Sequence, residues 1–203
     1  MNVLVLGANG QLGRAIVAKL ASEGHRVRAF MRRTDVEVNW PNVELFRGDA
    51  TDEISIVEAS KGQDAVVNAI GSGTIRRNTI ESDTTRVTLR ALARTPIKKY
   101  IAMSAGMVVP VSFAFDNIVR PLFLGNLYRE HRLVEDLVRA SDLDWTIVRP
   151  PRLSNRPSRG YLESTVKRPK GRITLSRIDV ADFISKALAT DAFQHQAVFL
   201  TSR

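Results

Sequence analysis

The sequence predicts an α/β fold, a doubly wound parallel sheet with helices on both faces, in a single domain over residues 1–203. Three observations predict it. Short apolar runs alternate with longer amphipathic ones along the whole chain. A glycine-rich turn joins the first apolar run to the first amphipathic one. And 203 residues, 44% of them hydrophobic, suit one sizeable core rather than two.

The apolar runs Asn2–Leu6, Arg26–Phe30, Val43–Arg47, Ala65–Ile70, Tyr100–Ser104 and Trp145–Arg149 are bounded by turn residues and read as buried strands of a parallel sheet. Between them Leu12–Ser22, Ser55–Ser60, Ser82–Ala93 and Arg129–Ala140 have helical spacing. In the last of these Leu133, Val134, Leu137 and Val138 form the expected inward stripe. A further helix is expected over Val180–Ala189 with Asp179 as its N-cap, and a final strand near Val198–Thr201. A sheet of this kind takes its ligands at the carboxyl ends of its strands.

Composition excludes several classes of chemistry. The chain has no cysteine, so disulfides, thiolate nucleophiles and cysteine-ligated metals are ruled out. Its three histidines, His25, His131 and His195, are not at metal-ligand spacing, and no metal is expected. Met1 leads directly into an apolar strand without a basic flank or cleavage site, which does not read as a signal peptide. The apolar stretch MVVPVSFAFDNIVRPLFLGNLY is broken by Pro110, Asp116, Arg120 and Pro121, so no membrane span is expected and the cytoplasm is the expected location. The net charge of +9 owes much to RPPRLSNRPSRGYLESTVKRPKGR, in which Glu163 is the sole acid. Nucleic acid would be one partner for such a segment. It has a single aromatic, Tyr161, and no zinc, RNP-like or helix-turn-helix signature. A basic rim around a site for polyanionic small molecules explains it at least as well.

The motif with chemical content is GANGQLG, Gly7 to Gly13, where the first strand turns into the first helix. Gly7 would allow the tight turn, Gly10 the approach of a pyrophosphate to bare backbone, and Gly13 the close packing of helix on sheet; Asn9, Gln11 and Leu12 complete the cradle. The helix N-terminus then offers unpaired N–H groups and a positive dipole end to the phosphates. At the end of the second strand, where an acid would bind the ribose hydroxyls of NAD, stand Arg32 and Arg33. Two guanidiniums suit a 2′-phosphate, so NADP is the expected cofactor.

Further strand ends line up with this site. RGDATD places Asp49 and Ala50 where an adenine edge could be hydrogen-bonded. GQDAVVNAIGSG gives a small-residue end at Ala69, Ile70 and Gly71, against which a ribose could lie. KKYIAMSAGMV ends on Ser104, and SDLDWTIVRPPRLSN on Pro150 and Pro151, followed by Arg152. In order and spacing the chain resembles the atypical short-chain dehydrogenase/reductase group: NmrA-like NAD(P)-binding proteins and, most closely, the biliverdin reductase B/flavin reductase family. The likeness spans essentially the whole chain, including RIDVADFISKAL.

The resemblance implies one Rossmann-type domain binding NADPH. It also implies an apolar shelf beside the nicotinamide for a flavin, quinone or tetrapyrrole, and a strand-five serine, here Ser104, that orients the carboxamide or the substrate. The acceptor site would lie in the loops after strands five and six, about residues 105–128 and 150–172. Met107, Val108, Phe113, Phe115 and Phe123 would supply the shelf, with Arg149, Arg152 and Arg156 at the same edge. The departures are equally specific. The Tyr–Lys pair of the short-chain dehydrogenases has its nearest match in Tyr128 with Arg132, and an arginine does not exchange protons. His131 lies one residue out of that register. Two histidine positions of the reductase B site fall near Glu135 and on Arg152, so those histidines do not carry over.

Reduction of a carbonyl needs an acid at the developing alkoxide, whereas a flavin or quinone spreads the arriving charge and can take its proton from water. The expected function is therefore NADPH-dependent hydride transfer to a conjugated small-molecule acceptor. The alternative is a non-catalytic NmrA-like redox sensor that binds NADP and a protein partner. A sugar-nucleotide epimerase shares the glycine spacing and is set aside because the chain lacks length for a further substrate lobe.

Overall fold

The structure is a computed structural model that describes residues 1–32, 40–71, 79–109, 117 and 124–203. Ten strands run in chain order as β1 Asn2–Leu6, β2 Arg26–Met31, β3 Val43–Arg47, β4 Ala65–Asn68, β5 Lys99–Met103, β6 Asp144–Arg149, β7 Arg152–Ser154, β8 Tyr161–Ser164, β9 Thr174–Ser176 and β10 Gln196–Ser202. The helices are α1 Gln11–Ser22, α2 Glu53–Ser60, α3 Ile80–Leu92, α4 Gly125–Arg139 and α5 Arg177–Leu188.

Eight strands form one sheet in the order β3-β2-β1-β4-β5-β6-β10-β8, parallel except for the antiparallel edge pair β10–β8. The order reverses between β1 and β4, which pair from Val3↔Ala65 to Leu6↔Asn68. That is the topological switch point at which a doubly wound sheet opens a crevice beyond its carboxyl ends. The period-two geometry of β1 divides the core. Val3 and Val5 pack with Ile16, Val17 and Leu20 of α1 and with Val180, Phe183 and Ile184 of α5. Leu4 and Leu6 face the other way, among Ile56 of α2, Val87 and Leu92 of α3 and Val134 and Val138 of α4. Because both faces are covered, β1 and β4 are apolar almost without interruption.

The predicted elements are present, with three informative corrections. First, Asp179 does not cap α5. Ser176 does so, accepting from Ile178 N, while Asp179 lies buried in the first turn. There its carboxylate accepts from Ser158 Oγ at 2.5 Å and Gly160 N at 3.1 Å, anchoring the basic segment to the helix. Second, that segment contains β7 and β8, and β7 forms a separate parallel pair with β9, which follows it in the chain. Strands of three or four residues are too short for an apolar alternation to betray them. Third, Leu133 is 38% exposed, and the buried positions of α4 are Val134, Glu135 and Val138. The inward stripe thus carries a carboxylate, which a reading of apolar residues alone passes over.

Candidate functional site

Around the crevice, the first glycines do different work. Gly7 has φ +76°, a left-handed turn, and a Cβ there would stand 2.9 Å from Ile70 N and 3.0 Å from Ala69 O. A Cβ on Gly13 would drive into Gly7 O and lie 2.8 Å from Ala8 Cα, so glycine here lets α1 pack against the turn. Gly10 differs. Its φ of −68° and ψ of 159° suit any residue, and among the described residues a Cβ would meet Gly7 O alone, at 3.2 Å. The protein itself does not require glycine at this position; what glycine spares is the approach from outside. Gly10 is the N-cap of α1 without a side-chain cap, and no acid occupies the first turn. Among the described residues no side chain accepts from its first-turn amides, the arrangement that binds phosphate.

Asn9, Gly10 and Gln11 are exposed and Leu12 is half-buried against the core. Arg14 adds a cation that the sequence reading passed over: its Nη2 donates to Asn9 Oδ1 at 2.5 Å and its Nε to Asn9 O at 3.1 Å. Arg32, exposed just beyond β2, lies close enough to Asp49 to help lower that carboxyl's pKa. The larger causes are the hydrogen bonds from Thr51 N and Thr51 Oγ1, at 2.9 and 2.8 Å to Asp49 Oδ1. One oxygen of Asp49 therefore closes its own turn, while neighbouring Ala50 is buried. Arg33, Phe113, Phe115 and Phe123 lie outside the described residues. Ala69 and Ile70 are half-buried and Gly71 is exposed; Asn68 shapes this end by accepting from Ile70 N at 3.1 Å and donating to Tyr100 Oη at 3.0 Å. Burial pushes the Tyr100 phenol up to about 12.

At the end of β5, Ser104 is buried and its hydroxyl donates to Glu135 Oε1 at 2.7 Å. Arg149, from the end of β6, closes a fork on the same carboxylate, Nε to Oε1 at 2.8 Å and Nη2 to Oε2 at 2.5 Å. Its guanidinium also lies over the Phe199 ring, 4.9 Å from the centroid. Burial pushes the Glu135 carboxyl upward, but the hydrogen bonds from Arg149 and Ser104 outweigh it and hold the group below the ordinary carboxylate range. This corrects the expectation for Arg149: it is committed inward to Glu135 rather than set at the crevice rim. Arg152 and Arg156 are exposed, Pro150 accepts from Gly106 N at 2.8 Å, and Pro151 is half-buried. Of the shelf residues described, Val108 is buried and Met107 half-buried, in the short 3-10 turn Gly106–Val108.

Beside this cluster stands His131, one turn before Glu135 on α4. Its Nδ1 lies 3.2 Å from Glu81 Oε2, within ion-pairing range but out of line for a hydrogen bond. Burial pushes the imidazole below its ordinary pKa, against the opposing pull of Glu81, Glu135 and Glu130. Glu81 in turn approaches the cofactor crevice: a Cβ on Gly71 would lie 3.9 Å from its Oε1. Glu130 ties α4 to α3 by accepting from Ser82 Oγ at 2.9 Å. His131 and Glu135 are four apart on one helix face, and that spacing, read for polar residues, is the signal that could have found them. Tyr128 is half-buried and Arg132 exposed. Among the described residues no group of three or more His, Asp or Glu is arranged to hold a metal ion, and no helix is long and apolar enough to cross a membrane.

Sheet order, switch point and glycine cradle define a Rossmann-type α/β protein built to hold a dinucleotide. The chain belongs to the NAD(P)H-binding family, which it matches over residues 7–191. This agrees with the likeness to atypical short-chain dehydrogenases/reductases that the strand ends carry. The uncharacterized sugar epimerase YhfK of Bacillus subtilis is 27% identical over 210 residues, covering 99% of this chain and 94% of YhfK. A wide-type short-chain dehydrogenase/reductase from Veillonella parvula, solved in complex with NADP, superposes with a TM-score of 0.79 at 20% identity, covering 99% of this chain and 94% of that one. SP1627 of Streptococcus pneumoniae, a candidate NADH-flavin reductase, superposes with a TM-score of 0.83 at 21% identity over the full length of both chains. The match to YhfK corrects one expectation: a protein of similar length carries the epimerase name, so chain length does not separate that class from this one.

Proposed function

We propose that the protein is an NADPH-dependent reductase that delivers hydride to a conjugated small-molecule acceptor such as a flavin or quinone. The observation that carries the reading is an exposed Gly10 at a helix N-terminus with no acid in its first turn, with Arg14 bonded to Asn9 beside it and Arg32 near Asp49. In this reading Gly7, Asn9, Gly10, Gln11, Leu12 and Gly13 hold the pyrophosphate, and Arg32 with Arg33 takes the 2′-phosphate. Asp49 and Ala50 face the adenine. Ala69, Ile70, Gly71, Ser104, Pro150, Pro151 and Arg152 line the nicotinamide half. When bound, the dinucleotide supplies the hydride; the chain contributes position and the exclusion of water.

The acceptor class follows from the acid–base inventory. Removing a proton from an alcohol, or giving one to an alkoxide, needs a partner at that oxygen. Tyr128 with Arg132 does not reproduce the tyrosine–lysine couple that would lower a phenol into service. A conjugated acceptor asks less, and the fold shared with a candidate NADH-flavin reductase supports it. The complex of the Veillonella protein with NADP supports the choice of cofactor. The test is a titration with NADPH and NADH, followed by an acceptor panel read at the nicotinamide absorbance. Oxidation of NADPH with FMN or a quinone, lost in Gly10→Trp, is the expected result. Tight NADPH binding with no turnover across the panel would favour the non-catalytic, NmrA-like sensor.

A further inference from the structure

We propose that Glu135 is a positioning residue that accepts the hydrogen bond donated by the Ser104 hydroxyl, so that Ser104 meets a bound ligand as a hydrogen-bond acceptor and recognises an N–H or O–H donor on it. This rests on the reductase reading for the identity of the ligands and goes beyond it in fixing what the site recognises. A serine hydroxyl has one proton and two lone pairs. Here the proton is spent on Glu135 Oε1 at 2.7 Å. The reverse polarity, a protonated Glu135 donating to Ser104, conflicts with the Arg149 fork. That fork places an N–H donor on each carboxylate oxygen, and a carboxylate so bound accepts only. Arg139 Nη2, 3.5 Å from Oε2, adds a second positive charge. The depressed pKa of Glu135 agrees. Nothing among the described residues donates to Ser104 Oγ, and its lone pairs are the polarity left for a ligand.

The chemistry follows from the one missing proton. An isolated ketone, once attacked, needs a donor at its oxygen, and Ser104 cannot supply one while Glu135 holds its hydrogen. In the reaction that remains, a bound reduced nicotinamide nucleotide would supply the hydride and be oxidised in turn. The acceptor is reduced and draws its balancing proton from water rather than from Ser104. The N–H donor that Ser104 recognises belongs either to the carboxamide of the cofactor or to the acceptor, such as the imide of a flavin ring.

Two binding measurements separate these sources, and neither requires turnover. The first compares NADPH with the reduced 3-acetylpyridine analogue of NADP, which lacks the carboxamide N–H. The second compares lumiflavin with N3-methyl-lumiflavin on the protein loaded with NADP⁺. In one of the two pairs the ligand without the N–H is expected to bind the unaltered protein at least tenfold more weakly. That ratio falls to within about twofold in Ser104→Ala. It falls likewise in Glu135→Leu, which leaves no side-chain acceptor at position 135 for the serine proton; a merely structural role for Glu135 would weaken both members of the pair alike and leave their ratio standing. Ser104→Ala keeps the Glu135–Arg149 pair and decides the matter if Glu135→Leu fails to fold. Ratios near one in both pairs, or a ratio that survives Ser104→Ala, overturn the inference while leaving the reductase reading intact. Absence of NADPH binding overturns both.

Discussion

Replacing Gly10 by alanine separates the needs of the fold from those of the ligand. The backbone at Gly10 (φ −68°, ψ 159°) accepts a Cβ, and the nearest atom to it, Gly7 O, is 3.2 Å away. A neighbour must yield by a few tenths of an ångström. Alanine is also a poorer N-cap than glycine, a loss of about 0.5–1 kcal/mol. Against this, removing glycine from the unfolded chain contributes roughly 0.4–1 kcal/mol. The two nearly cancel, and Tm should move by no more than about 4 °C in a chain of this size. Binding is another matter. A methyl group over the uncapped turn displaces the diphosphate from at least one backbone N–H, and a hydrogen bond to a charged group contributes about 1.5–3 kcal/mol. The Kd for NADPH should therefore rise by roughly 10- to 100-fold. Isothermal titration gives the Kd and a thermal melt without ligand gives the fold. Gly13→Ala is the control, since its Cβ would strike backbone on both sides of the turn; overpacking of this kind costs about 1–3 kcal/mol or more. An NADPH affinity unchanged in a folded Gly10→Ala protein would refute the assignment of the cradle.

Arg32→Glu should invert the preference between NADPH and NADH, weakening NADPH at least tenfold with little change for NADH; parallel titrations of the two nucleotides check it, and an unaltered ratio would move the 2′-phosphate elsewhere. Arg149→Met should cost about 3 kcal/mol, because it removes the fork from the buried Glu135 carboxylate and leaves the more distant Arg139 as its cation. Urea unfolding at pH 7 measures this loss, and part of it should be recovered near pH 4, where Glu135 can take up a proton. Tyr100 makes stability depend on alkaline pH. Its folded pKa, about 12, lies above the unfolded value of 10.0, so its contribution is intact below pH 10 and is lost as pH rises toward 12. The slope is about 1.4 kcal/mol per pH unit in that window. Comparing urea melts of the unaltered protein and Tyr100→Phe between pH 9 and 11.5 isolates it, and identical slopes would count against a buried phenol.

The elements most legible in the sequence are those whose apolar pattern is set by burial on two faces. The runs that became β1, β2, β4, β5 and β6 are apolar because helices cover both sides of the sheet, and their ends fall within a residue or two of expectation. The turn from β1 into α1 was legible for a related reason. Glycine at positions 7 and 13 is a backbone requirement of that turn, whereas Gly10 has a backbone that any residue adopts and marks only the proposed approach of a ligand. The basic segment was not legible. β7 and β8 are short, and what anchors the turn between them is Asp179, a carboxylate that the local pattern assigns to a helix cap. Only its burial against Ser158 and Gly160, some twenty residues earlier, gives it the other role.

By itself the sequence determined the parallel sheet, the alternation of its main strands and helices, and the glycine turn on which the proposed diphosphate site rests. These follow from local periodicity and from glycine, which act over a few residues. The tertiary structure alone decided the polarity of the buried site. Ser104, Glu135 and Arg149 come from three different elements, and nothing in the spacing of 104, 135 and 149 says that they meet. Their hydrogen bonds exist because parallel pairing brings the ends of β5 and β6 side by side under α4. A charge buried there must find a partner through space, whatever the distance along the chain.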